Sequence, residues 1–588
     1  MKNIKSLIIV ALLGTSFTSC NDFLTLDPLN DIVLENFWTN KSDVESVLLG
    51  AYSALESSDC LLRMSVWGEM RSDNIVEGTN TGEDIQQICR ENILITNSYC
   101  KYNKFYDVIN RANTVLHFAP IVADKDPNFV YDDLVAQEAE AITLRCLCYW
   151  YLIRTFHDVP YVTEPSIDDE GGYRKFFVPQ SSFEVILDSL IGDLERVVLD
   201  APKLYPTDDA NTGRITRATI YAMLADMYLW RGTDDDLDKC IAVCEEVHKL
   251  KMAQYQKLKE KEGKDCTVAL FNGYPLIQDA PDDYPGNSYN EIFGTGNSFE
   301  SLFELPYSND VKNSLVGTYY LSDQLDRNRS VGQLKAFEDI GKDFSSSTPN
   351  KVFEQQQDTR YYQNIRVREP SYAIAKYAYS SIDLIIDGNA VKSSSTNWGS
   401  LRGQNSSQPN WIVYRYTEVL LFEAEAYILK AMKISPEGQD SLAQVAILKE
   451  YKDKAFDLID AVNKRSIVAD NDKLENPRTL KQLINYTAQT SAQDLETTLF
   501  KERRREFLFE GKRWYDLVRI ARRDGNQNRL LNFVEKKYQA STLSAVRIKL
   551  KNPYAMYFPL AKDEVRNSQG VLKQNPAYSD DEKIEQAH

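Results

Sequence analysis

The run FKERRREFLFEGKRWYDLVR over 500–519 alternates apolar and charged positions at helical spacing. Phe507, Gly511, Trp514 and Val518 share one stripe, and Glu502, Glu506 and Glu510 fall four apart on a second face. The spacing predicts a single amphipathic helix, with Arg503, Arg505, Lys512, Arg513 and Arg519 as ion-pair partners one turn away. A glycine inside a helix costs about 1 kcal/mol against alanine, so Gly511 points to a backbone or large ring packed close against it. The run reads as a catalytic cluster, a basic patch or a structural helix, and the rest of the chain has to choose.

Helical periodicity recurs along the chain. It predicts helices over 42–55, with Ser42 as cap and Glu45 placed for a capping box, and over 99–118, 134–156, 183–198 and 213–232. After a long gap, helices resume from 411 to 465 and from 495 to 522. Two of them carry Ala-x-x-Tyr, at Ala225–Tyr228 and Ala424–Tyr427. A small residue on one helix then receives a ring from the next, as in tetratricopeptide helix pairs, although the repeats are too irregular for a regular solenoid. The stretch 67–82 loses periodicity and reads as a loop. So does most of 271–410, rich in Gly, Pro, Ser and Asn but also in rings. Long irregular segments in folded proteins are functional or disordered.

Lys plus Arg is 68 and Asp plus Glu 86, for a formal net charge of -18. This is the wrong sign for a general nucleic-acid binder. Aromatics make up 11%, including 34 tyrosines; most belong to helix packing, and an exposed minority suits amphipathic ligands such as sugars. Only four histidines occur, which argues against a His-built metal or acid–base site. Cys240, Cys244 and His248 share a helix face but lack a fourth ligand. No metal or cofactor is expected.

At the N-terminus Lys2 and Lys5 precede the apolar run LIIVALL, then small residues and Cys20. This is a signal-peptide layout, too short for a membrane span. The cysteine resembles that of a bacterial lipobox, with Phe17 where Leu is usual. The expectation is a signal peptide over 1–19 and a mature chain lipid-anchored through Cys20. Of the other cysteines, Cys60, Cys89 and Cys100 have the spacing for one bridge, whose pairing stays open.

Several stretches together resemble the SusD/RagB family of surface nutrient-binding lipoproteins. They are SDVESVLLGAYSAL (42–55), YNKFYDVINRANTVL with Arg-Ala-Asn at 111–113, and EAEAITLRCLCYWYLIRTFHDVPYVTE (138–164). Further on come GRITRATIYAMLADMYLWRG, FESLFELPY, WIVYRYTEVLLFEAEAYI, LFKERRREFLFEGKRWYDLVR and FPLAKDEVRNSQGVLKQNPAYSD, in family order. Cys146 replaces a usual Ala and His157 a usual Gly. The resemblance implies a mainly α fold, a tetratricopeptide-like helix-pair scaffold with an irregular, loop-rich ligand-binding region. Within one integrated fold the parts are 20–270 (N-terminal scaffold), 271–410 (ligand region) and 411–588 (C-terminal helices and tail). It also implies a TonB-dependent, SusC-like outer-membrane partner and an oligosaccharide cargo.

The expected function is therefore a non-enzymatic, outer-membrane, cell-surface lipoprotein that delivers oligosaccharides to its transporter. Trp398 is the first candidate sugar platform, because it lies in a Ser/Asn/Gly-rich stretch with no apolar pattern to bury it. Tyr284, Tyr289 and Trp67 follow. The alternative keeps the fold and takes peptides or glycoprotein fragments; the acidic balance would favour basic peptides. More distant is a glycoside hydrolase using Glu506 and Glu510. Both lie on one wall, and neighbouring arginines would keep them ionised.

Overall fold

The computed structural model describes residues 37–579 except 167–176, 280–286, 309, 321–332, 342–350, 356, 369–370, 388–389, 392–395, 403–408, 436–440 and 468–485. Cys20 and Tyr284 lie outside the described residues.

The longer helices are α1 (Lys41–Leu55), α2 (Ser58–Glu69), α3 (Asn103–Ala123), α4 (Tyr131–Phe156), α5 (Phe183–Val197), α6 (Arg217–Arg231), α7 (Asp234–Glu262), α8 (Tyr416–Met432), α9 (Ser441–Ser466), α10 (Ala492–Glu506) and α11 (Arg513–Asp524). They pack as helix pairs: α3 with α4, α6 with α7, α8 with α9. The fold is mainly α, with a tetratricopeptide-like scaffold. Local chemistry sets each pair. Gly232 ends α6 at φ 69, left-handed backbone that glycine adopts without penalty. Thr233 then caps α7 in a capping box with Asp236, so two residues make the whole turn. In α1, Val44, Leu48, Ala51, Tyr52 and Leu55 are buried at helical spacing. Its cap is Asn40, boxed with Asp43, rather than Ser42 with Glu45; Glu45 instead pairs with Arg214 at 3.2 Å.

The family signatures have structural roles. Asn113 is buried and donates to the carbonyls of Val162 and Glu164, each at 3.2 Å, while accepting from Arg145 at 3.1 Å. It pins the extended segment after α4. His157 ends α4 at φ 72, ψ -84, a strained turn for a residue with a Cβ. Its ring packs edge-on against Tyr557 at 4.8 Å, and Nδ1 shares a hydrogen bond with Asp158 at 2.7 Å.

The strands that matter for the site are β1 (Ser301–Leu305), β2 (Ile365–Arg368), β3 (Ser371–Ile374), β4 (Ile382–Asp383), β5 (Asn397–Trp398) and β6 (Trp411–Arg415). β1 and β6 form a fully buried antiparallel pair, Trp411 opposite Leu305. The irregular stretch therefore leaves and re-enters the helical body through one two-stranded gate.

Three expectations change. The run 500–519 is two helices, not one: α10 ends at Glu506, α11 begins at Arg513, and Phe509 (φ 65) and Gly511 (φ 71) turn the chain between them. The apolar stripe survives because Phe507, Trp514 and Val518 are all buried, but a turn delivers them. A Cβ on Gly68 would lie 1.7 Å from the Gly511 carbonyl oxygen, so α2 meets the turn backbone to backbone, and Trp411 closes over it. That is the close approach Gly511 signalled. The stretch 67–82 begins as the last turn of α2 and includes a strand, Ile75–Glu77; Trp67 is pulled inward by packing that periodicity does not register. Cys60, Cys89 and Cys100 are free, buried thiols, and burial pushes the first two up to about 11 and about 12.

Candidate functional site

The charged run at 500–519 forms a buried frame beneath the irregular region. Glu506 binds Arg360 at 2.8 Å, Arg415 at 2.5 Å, and Arg465. Glu510 binds Lys376 at 2.6 Å and Arg415 at 3.0 Å, and Glu502 binds Arg360 and Arg505, both at 2.7 Å. Burial by itself would raise the Glu506 carboxyl, but Arg465, Arg415 and Arg360 outweigh it and hold it well below the usual carboxylate range. Burial is opposed in the same way at Glu510, by Arg415 and Lys376. A hydrolase acid needs the opposite shift. Arg513 is tied to Asp73 at 2.9 Å, and Trp514 is buried with its ring N–H on the Met556 carbonyl at 3.1 Å. These are structural pairs, as the sequence suggests for Glu506, Glu510 and Arg513. Their partners, however, come mostly from distant segments.

Lys376 is where this frame reaches the irregular region. Burial draws it down to about 8 against the pull of Glu510. Its Nζ also lies 4.5 Å from the Phe293 ring centroid. Tyr377 follows at φ 65, and the chain then runs into a ribbon with 397–402. Arg402 N–H donates to Ala378 at 2.8 Å, Ser380 N–H to Ser400 at 2.9 Å and Gly399 N–H to Ser381 at 2.9 Å. Tyr379 bridges Leu401, and Ile382 and Asp383 pair with Trp398 and Asn397. A Cβ on Gly399 would sit 2.2 Å from the Ser381 hydroxyl, so only glycine permits this approach. Asn290 fastens the outer end: its Oδ1 accepts from Ile382 N–H at 2.8 Å and its Nδ2 donates to Asp383 at 2.7 Å.

Trp398 stands on this ribbon half-buried, its ring centroid 4.6 Å from that of Tyr379. Asn397 and Asp383 beside it are exposed. A partly open indole flanked by amide and carboxylate groups offers an apolar face with hydrogen-bonding edges.

Residues 284–578 match the SusD family, and residues 22–229 match a family described as "Starch-binding associating with outer membrane". The chain belongs to the SusD family. Among curated proteins it is 23% identical over 541 residues to SusD-like protein P38 of Formosa agariphila, covering 88% of this chain and 92% of that one. A SusD superfamily protein of Bacteroides vulgatus has the same fold, with TM-score 0.61 at 16% identity over 92% of this chain and 100% of that one. Surface glycan-binding protein A of Bacteroides thetaiotaomicron, solved in complex with laminarihexaose, superposes with TM-score 0.59 at 17% identity over 91% of this chain and all of that one.

Within this SusD-family chain the candidate rings part company. Trp67 is fully buried in α2, stacked near Phe105 and donating its ring N–H to the Tyr99 carbonyl at 2.9 Å. Tyr289 is 1% exposed, its hydroxyl donating to the carbonyls of Ala375 and Tyr379 at 3.2 and 3.1 Å. Neither presents a ring face to solvent; both are loop anchors instead, because their polar tips find backbone partners inside. Trp398 alone of the described candidates keeps an open face. Cys240 and Cys244 are buried among helices, Cys240 Sγ 3.5 Å from the Ala225 carbonyl. His248 is shared by Tyr416 at 3.0 Å and by Glu423. The set serves packing of α7 on α8.

Sequence reasoning misses Arg366, Asn290, Asp383 and Asn397 as members of the Trp398 neighbourhood. The alternation in IRVR over 365–368 is a faint strand signal; nothing local links it to a ring 32 positions away.

Proposed function

We propose that this SusD-family protein binds oligosaccharides at the Trp398 ribbon. It is tethered to the outer membrane through lipidated Cys20 and passes its cargo to a SusC-like TonB-dependent transporter without chemical change. The half-open Trp398 ring, bordered by Asn397 and Asp383, carries the reading: sugar recognition needs a flat apolar face and nearby hydroxyl partners. The relative solved with laminarihexaose, and the outer-membrane association in the description of the second matching family, support the cargo class and the address. The absence of chemistry follows from Glu506 and Glu510, whose oxygens are spent on arginine and lysine.

The test is a glycan array and a peptide mixture offered to the purified mature chain, with Trp398→Ala in parallel. Glycan binding should weaken by about 2 kcal/mol, roughly thirtyfold, with unchanged thermal stability. Capture of peptides alone, or glycan affinity indifferent to Trp398→Ala, would count against this assignment.

A further inference from the structure

Arg366 lies on β2 and is half-buried. Its guanidinium carbon is 5.0 Å from the Trp398 ring centroid and 5.6 Å from that of Tyr379, and Nη1 donates to the Tyr379 hydroxyl. The frame arginines Arg360, Arg415, Arg465, Arg503, Arg513 and Arg519 each hold at least one carboxylate. Among the described residues no carboxylate forms an ion pair with Arg366. In a chain of net charge -18, a cation on the candidate platform without an acidic partner is an arrangement the scaffold does not require.

A guanidinium has five N–H donors in a rigid fork. Tyr379 engages one nitrogen, and stacking on the two rings fixes the plane, so the remaining donors are pre-oriented. Such a fork matches a carboxylate or a sulfate half-ester in two parallel hydrogen bonds. Asp383, the acidic side chain on the ribbon, is opposite Asn397 and hydrogen-bonded by Asn290, so it is engaged elsewhere.

We infer that the glycan taken by this site is acidic: a uronate carboxylate or a sulfate ester sits on Arg366 while a sugar face lies on Trp398. This rests on the oligosaccharide assignment of the same ribbon. It runs against the overall charge, which by itself favours basic ligands. The selectivity is therefore a short-range property of one side chain.

The experiment uses the mature chain with oligogalacturonates and sulfated galactan oligosaccharides, each compared with its methyl-esterified or desulfated counterpart, by isothermal titration calorimetry. The acidic form should bind at least about tenfold more tightly. Arg366→Gln should erase that difference while changing neutral-glycan affinity less than about twofold, and Arg366→Lys should keep part of it. Thermal melts verify that both variants fold. Equal affinity for acidic and neutral forms overturns the inference. So does an Arg366→Gln loss that falls equally on both, since Arg366 would then be only a prop for the ring. Binding confined to neutral glycans and lost in Trp398→Ala would keep the oligosaccharide assignment and remove the acidic one. Binding of no glycan at all would remove both.

Discussion

Glu510→Gln tests whether the charged run is a frame or a site. The Glu510 side chain is fully buried and accepts from Lys376 Nζ at 2.6 Å and from Arg415 Nε and Nη2, each at 3.0 Å. Arg415 still has Glu506 after the substitution. Lys376 keeps only the Glu506 carbonyl, at 3.2 Å. Removing one partner of a buried pair costs about 3–5 kcal/mol, because a charge is left uncompensated. Lys376 can escape by losing its proton. From an ordinary value of 10.5, discharge at pH 7 costs about 5 kcal/mol, which sets the ceiling. Urea denaturation followed by tryptophan fluorescence should therefore show a midpoint lowered by the equivalent of about 3–5 kcal/mol. The double variant Lys376→Met/Glu510→Gln should recover part of the loss, since the orphaned ammonium is gone. Native-like denaturation combined with abolished ligand binding would refute the argument and return the run to the status of a binding site.

Acid should unfold the protein through the same frame. Glu502, Glu506 and Glu510 are held below their ordinary 4.5 by Arg and Lys partners that overcome burial. Their contribution is full above about pH 4.5 and lost as pH falls through the depressed values; a Glu506→Gln variant should show a flatter acid limb in a stability–pH series. Glu69 has the opposite sign: burial raises it to about 7, so its contribution is full below 4.5 and fades toward pH 7. Glu69→Gln should remove a slope worth on the order of 3 kcal/mol over that window, and an unchanged slope would show that the carboxyl ionises freely. Gly68→Ala drives a methyl to 1.7 Å from the Gly511 carbonyl and should cost at least about 3 kcal/mol or abolish soluble expression; wild-type melting would mean that the α2–turn contact is looser than described. Thiol titration should find the eight described cysteines, all buried and free, unreactive in the native protein and all reactive in denaturant without reductant; six would reveal a bridge.

The local pattern is legible wherever one segment decides its own conformation. Gly232 with Thr233 marks a helix end and the next start, and Val44 to Leu55 marks a buried face, because glycine's backbone freedom and helical periodicity act within a few residues. The scaffold class and the family signatures follow from such signals. The break at 507–512 was not legible, since a short turn with two positive φ values keeps the apolar stripe in phase. Trp67 and Tyr289 misled for a related reason: each lies where periodicity fails, yet each is buried by partners from elsewhere.

What the sequence by itself determined is thus the helix-pair scaffold, the acidic balance and the location of the irregular segment between two helical blocks. Only the tertiary structure decided which charges meet. Glu506 and Glu510 found Arg360, Lys376, Arg415 and Arg465, 41 to 146 positions away, and Trp398 found Arg366 and Tyr379 across a ribbon. A buried charge must be paired wherever a partner can be brought, and the chain closure that brings it leaves no periodic trace in the sequence.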